Sequence, residues 1–158
     1  MLLTNTKNPA LQDSVVAPPQ PRSRAADVRH SVLGPGERTI GAMADLGVQY
    51  LQVQTTTDSR AEAMELSRAA VEARLAACAQ VAGPVASVYW WDGGLERAEE
   101  WLVLLKLPVD RYDELAAFLT ERHSYDEPEI IALPIVTGSA AYLTWMREET
   151  RPSEGAAG

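Results

Sequence analysis

The sequence predicts an α+β fold, one antiparallel sheet with helices packed on it, and three observations carry that reading. Strand-like stretches recur at 48–54, near-alternating as a half-buried strand requires, at 85–91, which is β-prone, and at 96–107, polar first and then apolar. Apolar residues at helical spacing fill 61–75 and 112–119. Between the second and third strand segments stands Asp92-Gly93-Gly94, a turn sequence that joins antiparallel neighbours.

Val48 to Gln54 places glutamine at 49, 52 and 54 among apolar residues and predicts the first strand, which Thr55-Thr56-Thr57-Asp58 is expected to end. Ser59 followed by Glu62 has capping-box spacing, each side chain able to satisfy the other residue's amide. The helix behind it runs from Ala61 to Leu75, with Met64, Val71 and Leu75 on one face. Ala76 to Ala82 and Val85 to Trp91 form the outgoing arm of a long hairpin, bent at Gly83-Pro84, and Glu96 to Leu107 is the return.

Pro108 ends that strand, and Asp110 is placed to cap a helix carrying Tyr112, Leu115, Ala116 and Leu119 as far as Arg122. Ile130 to Val136 predicts a further strand, which Pro134 confines to an edge or a bulge. Gly138 turns the chain, Ser139 is a candidate cap, and Tyr142, Leu143 and Met146 mark a last short helix. The order β-α-β-β-α-β plus a helix packs as a ferredoxin-like, split βαβ arrangement, two helices covering one sheet face.

Composition limits what the chain does. All ten aromatic residues lie between Tyr50 and Trp145, while residues 1–46 hold five of the ten prolines and both asparagines. Residues 1–46 carry five basic and four acidic side chains, against eight and seventeen in 47–150, so a net −9 domain follows a mildly basic segment. The sequence therefore predicts a disordered extension over 1–46, a folded domain over 47–150 and a polar tail over 151–158. Met43, just ahead of the periodic sequence, is an alternative start. No apolar stretch of signal-peptide kind follows Met1, and Asp13, Asp27 and Glu37 weaken a transit-peptide reading.

Net charge −8 and a pI near 4.7 exclude a constitutive nucleic-acid binder, and no apolar run approaches the ~18–20 residues of a membrane span. One cysteine excludes an internal disulfide and fits a reducing compartment. The only lysines are Lys7 and Lys106, so a phosphate-binding loop is absent, and no serine sits in a nucleophile elbow. Tyr89, Trp90, Trp91 and Trp101 cluster near the hairpin turn, where unusually long strands leave sheet edges and aromatic surface for another subunit.

Leu75-Ala76-Ala77-Cys78, Ser87-Val88-Tyr89-Trp90-Trp91-Asp92-Gly93, Glu99-Glu100 before the strand ending at Lys106, and His123 through Ile130 resemble the CutA divalent-cation tolerance proteins. Asp58 and the Gly138, Tyr142-Leu143, Trp145 ending extend the resemblance over 47 to about 149. It implies a ferredoxin-like homotrimer built like the PII signalling proteins, cytoplasmic and non-enzymatic, with tolerance of copper and other divalent cations as its role. The same resemblance implies copper ligands at a first-strand cysteine and at a histidine pair. Here those positions read Gln54 and Arg122-His123, with Ser124 where a proline follows.

Candidate ligands for Cu(II) or another divalent cation are accordingly His123, Glu129 and Cys78. Each has a plainer reading. Cys78, between alanines, suits a small buried hydrophobe. His123 suits a helix C-terminus. Asp126, Glu127 and Glu129, like Glu96, Glu99 and Glu100, suit a solvated acidic surface. Two alternatives accompany the cation reading: a PII-like sensor holding a small metabolite between subunits through His123, Glu129 and Lys106, and a structural assembly module.

Overall fold

Alternation along the first strand continues three residues past the point where the glutamine rhythm stops. β1 spans Tyr50–Thr57, and Leu51, Val53, Thr55 and Thr57 are all fully buried on one face. The threonines extend the strand instead of ending it. Their β-branched chains suit the pleat, and their buried hydroxyls have partners, Thr57 Oγ1 donating to Ser59 O at 2.9 Å and Thr55 Oγ1 meeting the His123 ring. The structure, a computed structural model, describes residues 47–152, so the expected extension over 1–46 and all but the first two residues of the expected tail lie outside it.

α1 spans Arg60–Glu72, and Ser59 caps it by accepting the Glu62 amide at 3.2 Å. The capping box is only half formed. Glu62 turns instead to Ser124, accepting from its amide at 3.0 Å and its hydroxyl at 2.9 Å, which ties the helix start to a distant loop. The buried face is also rotated from the expected one: Ala63, Leu66, Ser67 and Ala70 face the sheet, whereas Met64 stands 45% exposed and Leu75 follows the helix. Small residues let the helix approach the sheet closely, which the larger Met64 would prevent.

β2 (Cys78–Trp91) and β3 (Gly94–Pro108) form the long hairpin, with a register irregularity between Ala82 and Val85. Gly83 lies there at φ +152°, and a Cβ would come within 3.0 Å of Trp101 Cε3 and 3.1 Å of Glu100 O. The turn places Asp92 at φ +44° and Gly93 at φ +80°, the pair of left-handed residues a two-residue hairpin needs. A 3-10 turn, Val109–Arg111, leads into α2 (Tyr112–Arg122). Asp110 lies inside that turn and makes no capping bond, and Ser139 makes none ahead of α3 (Ala140–Glu149). β4 (Ile131–Pro134) is shorter than expected and lies at the edge, with Pro134 as its last residue.

The strand order is β2-β3-β1-β4, all neighbours antiparallel. β3 sits between β1 and β2, so the β1-α1-β2 unit is split as the sequence predicts. Leu51, Val53, Val103, Leu105 and Leu107 meet Leu115 and Leu119 of α2 and Ala63 and Ala70 of α1 in the main core. Each large side chain there contributes about 1.5–3 kcal/mol by leaving water. A smaller cluster of Tyr50, Ala77 and Met146 seats α3 at one end of the sheet.

The opposite sheet face is met by a helix only at one end, where α3 sets Met146 on Tyr50 and Tyr142 against Cys78. Register puts Gln52, Gln54 and Thr56 of β1 beside Lys106, Leu104 and Leu102 of β3 and, for the first two, Leu133 and Ile131 of β4. No helix among the described residues is long and apolar enough to cross a membrane.

Candidate functional site

Along the outer half of the hairpin, on the sheet face opposite α1 and α2, lies a cleft of about 430 Å³ lined by Thr56, residues 87–91, Glu100, Tyr125, Glu127 and Glu129. Three elements build it. Cross-strand pairing sets Val85, Ser87, Tyr89 and Trp91 opposite Glu100, Ala98, Glu96 and Gly94, so their side chains share one face. The loop after α2 folds over this face and supplies the remaining carboxylates.

Glu100 is only 8% exposed, and the Tyr125 hydroxyl donates to its Oε1 at 3.2 Å. Burial, then the Glu100 charge, pushes the Tyr125 phenol far above the ordinary tyrosine value, and burial with Glu100 and Glu96 pushes Tyr89 the same way. Both phenols therefore stay neutral donors. Glu129 Oε1 accepts from Gln54 Nε2 at 2.9 Å. Two positions singled out from the sequence thus meet each other across β1.

His123 braces this wall from behind. The Tyr125 amide donates to its Nδ1 at 3.0 Å, which fixes the proton on Nε2. Nε2 then donates to Thr56 O at 2.9 Å and lies 3.1 Å from Thr55 Oγ1. Burial lowers the His123 pKa, opposed by Glu62, the Thr56 carbonyl, Asp58 and Glu100. The Tyr125 ring packs on the imidazole at 5.0 Å between centroids.

Cys78 lies elsewhere. It is half-buried at the start of β2, opposite Lys106, with its Sγ 3.4 Å from the Tyr142 hydroxyl. The hydrogen bond to Cys78, with burial, pushes the Tyr142 phenol up to about 12. Lys106 and Glu100 are six residues apart on β3, roughly 20 Å at strand rise, so thiol and cleft are separate. Lys106 Nζ donates to Gln80 at 2.6 Å, also far from the cleft.

The aromatic cluster divides. Tyr89 and Trp91 line the cleft, whereas Trp90, 75% exposed, stands with Val88 and Leu95 on the other side of the hairpin. Trp101 packs on the main core under the Arg60 guanidinium, 6.0 Å from its ring.

The residues do not fit a thiolate–imidazole copper centre within one protomer. The only lone pair of His123 is engaged by the Tyr125 amide, and Cys78 lies at the far end of the sheet. Among the described residues no three His, Cys, Asp or Glu side chains converge to hold a metal ion. The linkage Thr56–His123–Tyr125–Glu100 escaped sequence reasoning, because no periodicity joins residues so far apart along the chain.

Fold and site together define a ferredoxin-like α+β protein with one sheet face covered only at its end by α3, and an acid-lined aromatic cleft along the outer half of a long hairpin. The family model described as CutA1 divalent ion tolerance protein matches residues 51–149, and the chain belongs to that family. The divalent-cation tolerance protein CutA of Thermus thermophilus is 38% identical over 98 residues, 62% of this chain and 95% of that relative. The chloroplastic protein CutA 1 of rice is 34% identical over 106 residues, and the chain spans 60% of its length. A solved divalent cation tolerance protein from Thermus thermophilus superposes with TM-score 0.63 at 36% identity, covering 65% of this chain and 99% of that one.

Proposed function

We propose that this chain is a non-enzymatic, cytoplasmic homotrimer that serves divalent-cation tolerance by weak, reversible association with cations, and not through a tight copper centre. One observation carries the assembly: beyond the end seated under α3, the sheet face opposite α1 and α2 joins half-buried Leu102 and Leu104 to Ile131 and Leu133, 46% and 43% exposed. Surface of that kind marks a protein interface. Both sheet edges, β2 and β4, are open to pairing among the described residues. The acid-lined cleft supports the cation half of the reading, since carboxylate oxygens with water suit hard or weakly selective cations.

Light scattering at micromolar concentration should give three times the chain mass, and a monomer would sink the assembly. Calorimetric titration with Cu(II), Zn(II) and Mg(II) should give millimolar affinities with little selectivity. A micromolar Cu(II) site would overturn the weak-cation reading while leaving the fold intact.

The PII-like alternative is less well supported. Within one chain His123, Glu129 and Lys106 do not share a cleft, so that reading needs a neighbouring subunit to bring them together.

A further inference from the structure

A second cleft, of about 390 Å³, opens at the opposite end of the sheet between the 3-10 turn, the start of α2 and the end of α3. Arg111, Arg147 and Arg151 all line it, with Asp110 and Glu114. Three of the eight basic side chains in 47–151 other than Lys106 therefore meet at one place on a strongly acidic domain. The two carboxylates do not satisfy them. Glu114 takes one terminal nitrogen of Arg111, and Asp110 lies a loose 3.6 Å from Arg147.

Arg111 carries the second observation. Its side chain is 13% exposed, and its Nε is buried with no hydrogen-bond partner. A guanidinium Nε–H without an acceptor is costly, because desolvation of a donor on a charged group goes uncompensated. Arg147 is held in place by its guanidinium lying 5.4 Å from the Tyr50 ring centroid. Planar guanidinium forks match tetrahedral oxyanions with several acceptor oxygens, and an anion offsets the local excess of one positive charge.

We propose that this cleft binds the phosphate group of a small molecule, held between Arg111, Arg147 and Arg151. The site shares no lining residue with the acid-lined cleft. Its ligand is distinguished from cations by charge and from simple carboxylates by the number of acceptor oxygens it offers to three guanidinia.

The test is a calorimetric titration of inorganic phosphate into the full chain at low ionic strength, with ³¹P line broadening as a second readout. Saturable binding at one site per chain, at or below low-millimolar concentration, is expected. Arg147→Gln and Arg151→Gln, both at exposed positions, should each weaken it about tenfold. Arg111→Lys keeps the charge but removes the planar guanidinium fork, and should weaken it similarly. Sulfate should compete, whereas chloride at matched ionic strength and acetate should not. Unchanged phosphate affinity in the Arg147→Gln/Arg151→Gln double variant, acetate binding as well as phosphate, or no saturation by about 10 mM (a weak-binding threshold) would each overturn the proposal. Circular dichroism of every variant separates lost binding from lost folding, and the two exposed positions decide the matter if Arg111→Lys does not fold.

Discussion

Replacing His123 with alanine separates a brace from a metal ligand. The substitution removes the Nε2–H bond to Thr56 O, the contact with Thr55 Oγ1 and the acceptor for the Tyr125 amide. At a net ~1 kcal/mol for each hydrogen bond, with further loss of ring packing on Tyr125, the expected destabilisation is about 3 kcal/mol. In a folding unit of about 100 residues that lowers the melting temperature by about 12–24 °C. Urea unfolding at fixed protein concentration is the assay, since association would add a concentration-dependent term. Cation affinity should stay within about twofold, because the weak-cation reading gives His123 no ligand role (twofold is under half of a 1.4 kcal/mol tenfold step). A destabilisation below about 0.5 kcal/mol together with a tenfold loss of Cu(II) affinity would refute the brace.

The same residue sets a pH dependence whose sign follows from its lowered pKa. Above the unfolded value of 6.5 the imidazole is neutral in both states and its bonds stabilise the fold. As pH falls below 6.5 the unfolded chain takes up the proton first, so stability is lost progressively down through the lowered folded value. Wild type minus His123→Ala should therefore shrink between pH 7 and pH 5, and a difference independent of pH would contradict the buried neutral imidazole.

Further outcomes follow from other elements. Gly83→Ala puts a methyl 3.0 Å from the Trp101 ring at φ +152°, and should cost about 2–5 kcal/mol by urea unfolding. Ser59→Ala removes the acceptor for the Glu62 amide and should cost about 1 kcal/mol, read as a lowered denaturation midpoint at unchanged slope. Trp90→Ser, at a ring 75% exposed in one chain, should weaken assembly in sedimentation while leaving the secondary structure of the chain unchanged.

Much of this protein was legible one residue at a time. Element order, the Asp92-Gly93 turn, the Ser59 cap and the edge position of the strand at Pro134 each follow from local preference or short-range spacing, and the motif series around Trp90 and His123 pointed to the family. What failed were judgements that depend on a neighbour from elsewhere in the chain. Thr55 and Thr57 read as a break because threonine is polar, yet the distant His123 ring meets the Thr55 hydroxyl, Ser59 O accepts from Thr57, and the strand continues. Met64 read as core because it is apolar, yet the sheet admits alanine there and leaves methionine outside.

The site follows the same division. Sequence alone determined which groups exist: one thiol, one imidazole in the folded unit, an excess of carboxylates and few cations. Tertiary structure decided that the imidazole faces Thr56 and the Tyr125 amide, that the thiol stands at the other end of the sheet, and that three arginines from two segments share a cleft. Hydrogen-bond partners and electrostatic neighbours are set by distances of a few ångströms between residues tens of positions apart. Those distances exist only once the sheet has fixed its register.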